Sequence, residues 1–177
     1  WKKQPETYEV HNILNANNDK YYKKYDLVIL RDVIEHVDQK DKFDFIKTAS
    51  LFMKKEGEML VTFPPYFSPF GLHQQALMQS FLNKIPYLSL LPESILNLMV
   101  NKFEDNDVWN KINEIIQSGT TIYNFKRIVK KANLKIYKER YFSIRPSHEI
   151  RYGIKTLRSP FGKIPLIREI SILGTCY

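Results

Sequence analysis

The sequence is poor in cysteine. Its 177 residues hold one, Cys176, so no internal disulfide and no cysteine-built zinc site can form. That suits a reducing compartment, and the expectation is a cytoplasmic protein. Glycine is scarce too: there are six, and no two stand as G-x-G. A glycine-rich turn that lets backbone approach a nucleotide-like ligand is therefore excluded. No run of about 18 uncharged apolar residues is present, which excludes a membrane-spanning helix. No signal peptide is visible. The chain opens on Trp1 rather than Met, which reads as a missing natural N-terminus.

What is there is ordinary in bulk. A hydrophobic fraction of 44% with 26% charged residues excludes a disordered or collagen-like chain. The length fits one domain with a real core. The charge, however, is uneven. Residues 119–177 carry 13 Lys and Arg against 3 Asp and Glu, whereas residues 1–118 carry 14 against 16. The net +8 thus belongs to the last third. Such a face suits phosphates, anionic lipid or an acidic substrate, or is a solvated lysine-rich surface.

Along the chain, Tyr8–Leu14 reads as a short strand, followed by a polar turn region. Tyr25–Leu30 (YDLVIL) is a near-continuous apolar run, the pattern of a strand buried on both faces of a parallel sheet. Asp38, with Asp41 three residues on, reads as the cap of a helix over 39–54. Lys54 and Lys55 suit the end of that helix and Gly57 the turn that leaves it. Glu58–Phe63 is a second strand, stopped by Pro64 and Pro65. Residues 25–63 therefore predict a βαβ unit.

Residues 66–118 read as an insertion. The apolar stretch 76–100 is broken by Lys84, Pro86, Pro92 and Glu93, which fits two short helices, and a third is expected at 107–117. Thr121 caps a helix over 122–132, and Asn133 fits the left-handed position after it. Strands are expected at Lys135–Ile144 and Ile170–Tyr177, joined by a basic link, 145–169.

At Tyr25–Val37 (YDLVILRDVIEHV) and Phe52–Pro65 (FMKKEGEMLVTFPP) the chain resembles the second half of the class I S-adenosylmethionine-dependent methyltransferases. The resemblance covers 8–63 and 120–144 well and 165–177 loosely. The opening of the insertion, FPPYFSPFGLHQQ, is similar to a bacterial subgroup with a variable substrate-capping segment. The family holds its cofactor with a Gly-rich turn after the first strand and an acidic residue after the second, and neither is here. The resemblance thus implies an α/β, Rossmann-like fold in its C-terminal portion, with an antiparallel terminal hairpin. Residues 1–177 form a single partial domain with the helical insertion 66–118.

The resemblance also implies S-adenosylmethionine as cofactor, and methyl transfer to oxygen or nitrogen of a small or lipid- or glycan-linked acceptor. It places Asn12 against the adenine amino group, with an exposed strand-end Asn as the plain alternative. Arg31, Asp32 and Val33 line the methionine end of the cofactor pocket; alternatively Asp32 only caps a helical turn. Offsets of three and four put Asp32, Glu35 and His36 on one face of a helical turn, and His73 can approach the same crevice. Two carboxylates with two imidazoles suit Mg²⁺ or Mn²⁺ in related arrangements, but no metal is assigned. His36 or His73 is the candidate general base, because imidazole titrates near neutrality. An ordinary hydrogen-bonded histidine remains open for each.

The apolar 76–100 segment fits a lid, a membrane-surface patch, a dimer face, or a packed subdomain with its own core. Aromatics interleave with cations in the last third, as an RNA-binding surface would have them. The alternation over 135–144 is equally that of any half-buried strand, so nucleic acid is disfavoured as partner. The functional alternatives are a non-catalytic interaction module or an RNA methyltransferase using the basic third. A missing half-sheet exposes a strand edge, so aggregation or homodimerisation is expected.

Overall fold

The computed structural model describes residues 9–14 and 17–177. Tyr25–Arg31 is β1. It leads through a 3₁₀ turn, Ile34–His36, to helix α1, Lys42–Leu51. Strand β2, Met53–Phe63, then lies parallel to β1, with Leu27 opposite Glu58 and Arg31 opposite Thr62. The expected βαβ unit is present with altered boundaries. The Asp38 carbonyl accepts from the N–H groups of both Asp41 and Lys42, which holds 38–41 as a turn and delays the helix. Asp41 is the N-cap and makes no side-chain cap bond. Met53–Lys55 belong to β2 rather than to the helix. Gly57 sits inside β2 where the register shifts, and a Cβ there would lie 2.8 Å from the Tyr25 carbonyl oxygen. Its small size permits a bulge rather than a helix-end turn.

The sheet has five strands in the order β1-β2-β5-β3-β4. Strand β3 is Arg140–Ile144, β4 is Leu157–Arg158 and β5 is Gly174–Cys176. The last strand in sequence slots between β2 and β3, antiparallel to both. Two sequence expectations shrink here. Residues 135–139 are not strand, because β5 stops at Cys176 and gives them no backbone partner among the described residues. The strand expected at Ile170–Tyr177 shortens to β5, because residues 170–171 end helix α7 (Pro165–Ser171), which is opened by Pro165, whose fixed φ suits a first helical turn. The basic link also holds helix α6, Pro146–Tyr152.

Helices α1 and α5 (Ile122–Lys131) cover one face of the sheet. Leu30, Ile46, Val61, Phe63, Phe125 and Val129 form the core there. Each such fully buried side chain contributes about 1.5–3 kcal/mol. The expectation that β1 is buried on both faces fails. Leu27 is 49% and Ile29 54% exposed, and only Leu30 of the strand is buried. Among the described residues β1 pairs with β2 alone, and nothing covers its second face. The strand expected at Tyr8–Leu14 is also absent over 9–14; Tyr8 lies outside the described residues. Asn12 instead folds back, its Oδ1 accepting the Leu14 N–H at 3.0 Å, a local turn that competes with strand pairing.

The insertion builds its own core. Helices α2 (Gln74–Leu77), α3 (Glu93–Phe103) and α4 (Val108–Ser118) enclose Leu72, Leu82, Leu96, Val100 and Ile112. Thr121 caps α5 by accepting from the Asn124 N–H, and Asn133 closes it at φ +56. No described helix is long and apolar enough to cross a membrane.

Candidate functional site

In open α/β sheets ligands gather at the carboxyl ends of parallel strands. Here that place is where β1 and β2 end, and the first residue past β1 is Asp32. It has φ +52, a left-handed conformation that Asp tolerates better than most residues. Its N–H donates to the Thr62 carbonyl at 2.8 Å, and the Thr62 hydroxyl donates to its Oδ1 at 3.1 Å. Its Oδ2 receives Arg145 Nη2 at 2.5 Å. Arg145 leaves the end of β3 and passes over Gly174 of β5, where a Cβ would stand 2.8 Å from its Cγ. Four strands thus converge on one half-buried ion pair. Arg31 and Val33 flank it and are exposed.

The one-face grouping of Asp32, Glu35 and His36 does not occur. The turn there is 3₁₀, Ile34–His36, and Asp32 lies outside it; Val33 is its N-cap, so Asp32 does not cap it either. The three side chains part. Asp32 meets Arg145, Glu35 turns inward, and His36 stays at the surface. The meeting of His36 and His73 does occur. Their ring centroids are 5.3 Å apart at 78°, an edge-to-face pair. His73 has φ +55 at the start of α2. Burial pushes its pKa below the usual histidine value, and the neighbouring His36 and Arg145 push the same way against Asp32. The lowered pKa favours the neutral imidazole, the form able to take a proton.

Beneath this surface lie two buried charges. Glu35 is 3% exposed, and among the described residues neither carboxyl oxygen finds a partner outside its own residue. Burial raises its pKa to about 7, helped by Asp32 and opposed by its own backbone N–H, Arg145 and Lys42. Lys42 is fully buried. Its Nζ donates to three carbonyls: Ile34 at 2.6 Å, Val37 at 2.5 Å and Ser118 at 2.5 Å. Burial lowers its pKa to about 8. The Thr120 hydroxyl also donates to the Ile34 carbonyl, at 3.3 Å. Lys42 therefore ties the turn that carries His36 to the end of α4, and so to the insertion that carries His73.

Among the described residues no three or more His, Cys, Asp or Glu side chains are placed to share a metal ion. The Asp32 carboxylate is committed to Arg145 and Thr62, and Glu35 faces inward. Asn12 is exposed, and its Oδ1 is engaged by Leu14. A cavity of about 680 Å³ lies elsewhere. It opens between the amino-terminal half of β2, α5 and residues 134–138, and shares no residue with the histidine pair. It lies where 135–139 fail to join the sheet, at the wrong end of β2 for an α/β ligand site.

No protein-family model matches the chain, and no curated protein matches it. The functional reading therefore rests on the geometry and on the sequence resemblance. Lys42 and Arg145 were not legible as site residues. A lysine in a helix's first turn and an arginine in a basic stretch carry no spacing signal. Only the fold brings Ser118 to the one and Asp32 to the other.

Proposed function

We propose that the chain is the acceptor-side part of an S-adenosylmethionine-dependent methyltransferase with a Rossmann-like sheet. The observation that carries this reading is the last strand, inserted antiparallel between β2 and β3 beside a parallel β1–β2 pair whose carboxyl ends hold the histidine pair. The resemblance implies that antiparallel terminal pairing. The cofactor fits these residues in part. Arg31, Asp32 and Val33 present backbone beside the crevice and would line its methionine end; no glycine-rich turn is among the residues of this sequence. The bound cofactor would supply an electrophilic methyl group.

The chain's own residues do the rest. His73, its neutral form favoured by burial, takes the proton from an acceptor hydroxyl or amine, and His36 packs against its ring. Asp32 and Arg145 fix the end of β1. The insertion shapes the acceptor side, which suits a small or lipid- or glycan-linked molecule. Positioning and proton removal are the main contributions a protein makes to such a displacement.

The test is calorimetry with S-adenosylhomocysteine on the 177 residues and on the full gene product. The reading expects tight binding only where a glycine-rich turn accompanies these residues. A full product that carries no such turn and does not bind would favour the second reading, a non-catalytic interaction module. That reading draws on the uncovered face of β1.

A further inference from the structure

We propose that residues 150–168 form a docking face for an anionic lipid bilayer. This goes beyond the methyl-transfer reading and does not depend on it. The face is the β4 end of the sheet, four strands away from β1. Its apolar side chains stand in water: Ile150 is 85% and Leu166 84% exposed, and Ile154, Leu157, Phe161 and Ile164 are each about half exposed or near it. Single exposed apolar residues are ordinary; six within 17 positions of the chain are a concentration.

Cations interleave with them. Arg151, Lys155, Arg158 and Lys163 are exposed, and none forms a salt bridge among the described residues. The two nearby acids, Glu149 and Glu169, offset only part of this charge: Lys155 acts on Glu149 electrostatically, but neither acid forms a salt bridge with these cations among the described residues. Glu149 is held by the Thr156 N–H at 3.0 Å and hydroxyl at 2.6 Å. Glu169 accepts from the N–H groups of Ile122 and Tyr123 at 3.0 and 2.8 Å, at the start of α5. The face is therefore apolar and positive at once.

The chemistry that matches it is a headgroup layer of negative charge above acyl chains. Cations meet the headgroups while aliphatic side chains enter the boundary below. Nucleic acid fits less well, since base stacking needs aromatic rings and the exposed aromatics of the segment, Tyr152 and Phe161, are outnumbered by five aliphatic side chains. An acceptor carried on a lipid would be met at such a surface, which joins this inference to the proposed acceptor class without resting on it.

Co-sedimentation with vesicles tests it. The 177-residue chain is expected to bind vesicles of phosphatidylcholine with phosphatidylserine, to ignore phosphatidylcholine alone, and to release with salt. Each cation near the surface is worth about fivefold in partitioning, so R151Q/K155Q/R158Q/K163Q should lose binding on the order of several hundredfold. Ile150→Ser with Leu166→Ser should weaken binding while leaving the fold intact, since both side chains are almost wholly in water. The equal-charge control K40Q/K55Q/K84Q/K130Q, at exposed lysines elsewhere, should keep the binding of that face. No binding to anionic vesicles overturns the proposal, as does equal loss in the control. Tight binding of a short RNA with no vesicle binding overturns it in favour of nucleic acid.

Discussion

Glu35 is a carboxyl group with no partner beyond its own backbone among the described residues, beside a lysine with three. At its folded pKa of about 7, against an ordinary 4.5, the shift amounts to roughly 3 kcal/mol between its two charge states. The folded state binds its proton more tightly than the unfolded state does. The stability this supplies is present in full below pH 4.5 and is lost as pH rises through 7. Glu35→Gln removes the term. Urea unfolding should show the variant near wild type at pH 5 and more stable by about 1–3 kcal/mol at pH 8. Equal stability of the two proteins at both pH values would refute the burial argument. Lys42→Met acts in the opposite sense. It takes the ammonium donor from the carbonyls of Ile34, Val37 and Ser118 and leaves Glu35 with Arg145 as its cation, and should cost about 3–5 kcal/mol at pH 7.

The histidine pair makes a prediction about rate at the same scale. If His73 takes the acceptor proton in the full enzyme, turnover rises with pH as His73 loses its own proton. Burial lowers its pKa, so the rising limb lies at lower pH than an ordinary histidine would place it. His73→Gln should cost about 10²–10⁴ in turnover and flatten that rising limb. A variant that keeps the limb would move the role to His36 or to neither.

At the scale of elements, α5 was the most legible part of the chain. Thr121, the apolar face Phe125, Ile128 and Val129, and Asn133 mark its start, burial and end in sequence, and each does that in the fold. Thr121→Ala should cost about 1 kcal/mol by freeing the Asn124 N–H, measured by chemical unfolding. Asn133→Gly should cost nothing, because φ +56 strains glycine least. The βαβ pattern was legible for a similar reason: apolar runs and a helix period are local signals. What stayed hidden was decided by distant partners. YDLVIL reads as two-sided, but its second face has no cover among the described residues. Residues 135–139 alternate like a strand and still lack one to pair with. Asp32, Glu35 and His36 have helical offsets, yet the left-handed φ of Asp32 sends it to Arg145, 113 positions away. His73 could be placed near His36 because both follow strands whose carboxyl ends must adjoin.

At the scale of the molecule, the two ends of the sheet behave differently. The β4 end is short, twisted by a register shift and guarded by cations, all devices that discourage strand pairing. The β1 end is longer and more apolar: beyond the bulge at its start, Leu27 and Ile29 are exposed on a seven-residue strand that pairs on one side only among the described residues. Concentration-dependent self-association through β1 is the expected result, seen by sedimentation velocity at moderate salt. Ile29→Lys puts a charge on that strand and should return the chain to monomer, since a buried unpaired ammonium in a strand-to-strand contact is far more costly than an exposed one. The two ends should also be separable. Ile29→Lys should leave vesicle binding unchanged, and the quadruple charge variant at 151–163 should leave self-association unchanged. If the charge variant instead abolishes association, the contact runs through the basic face and the argument from the open strand is wrong.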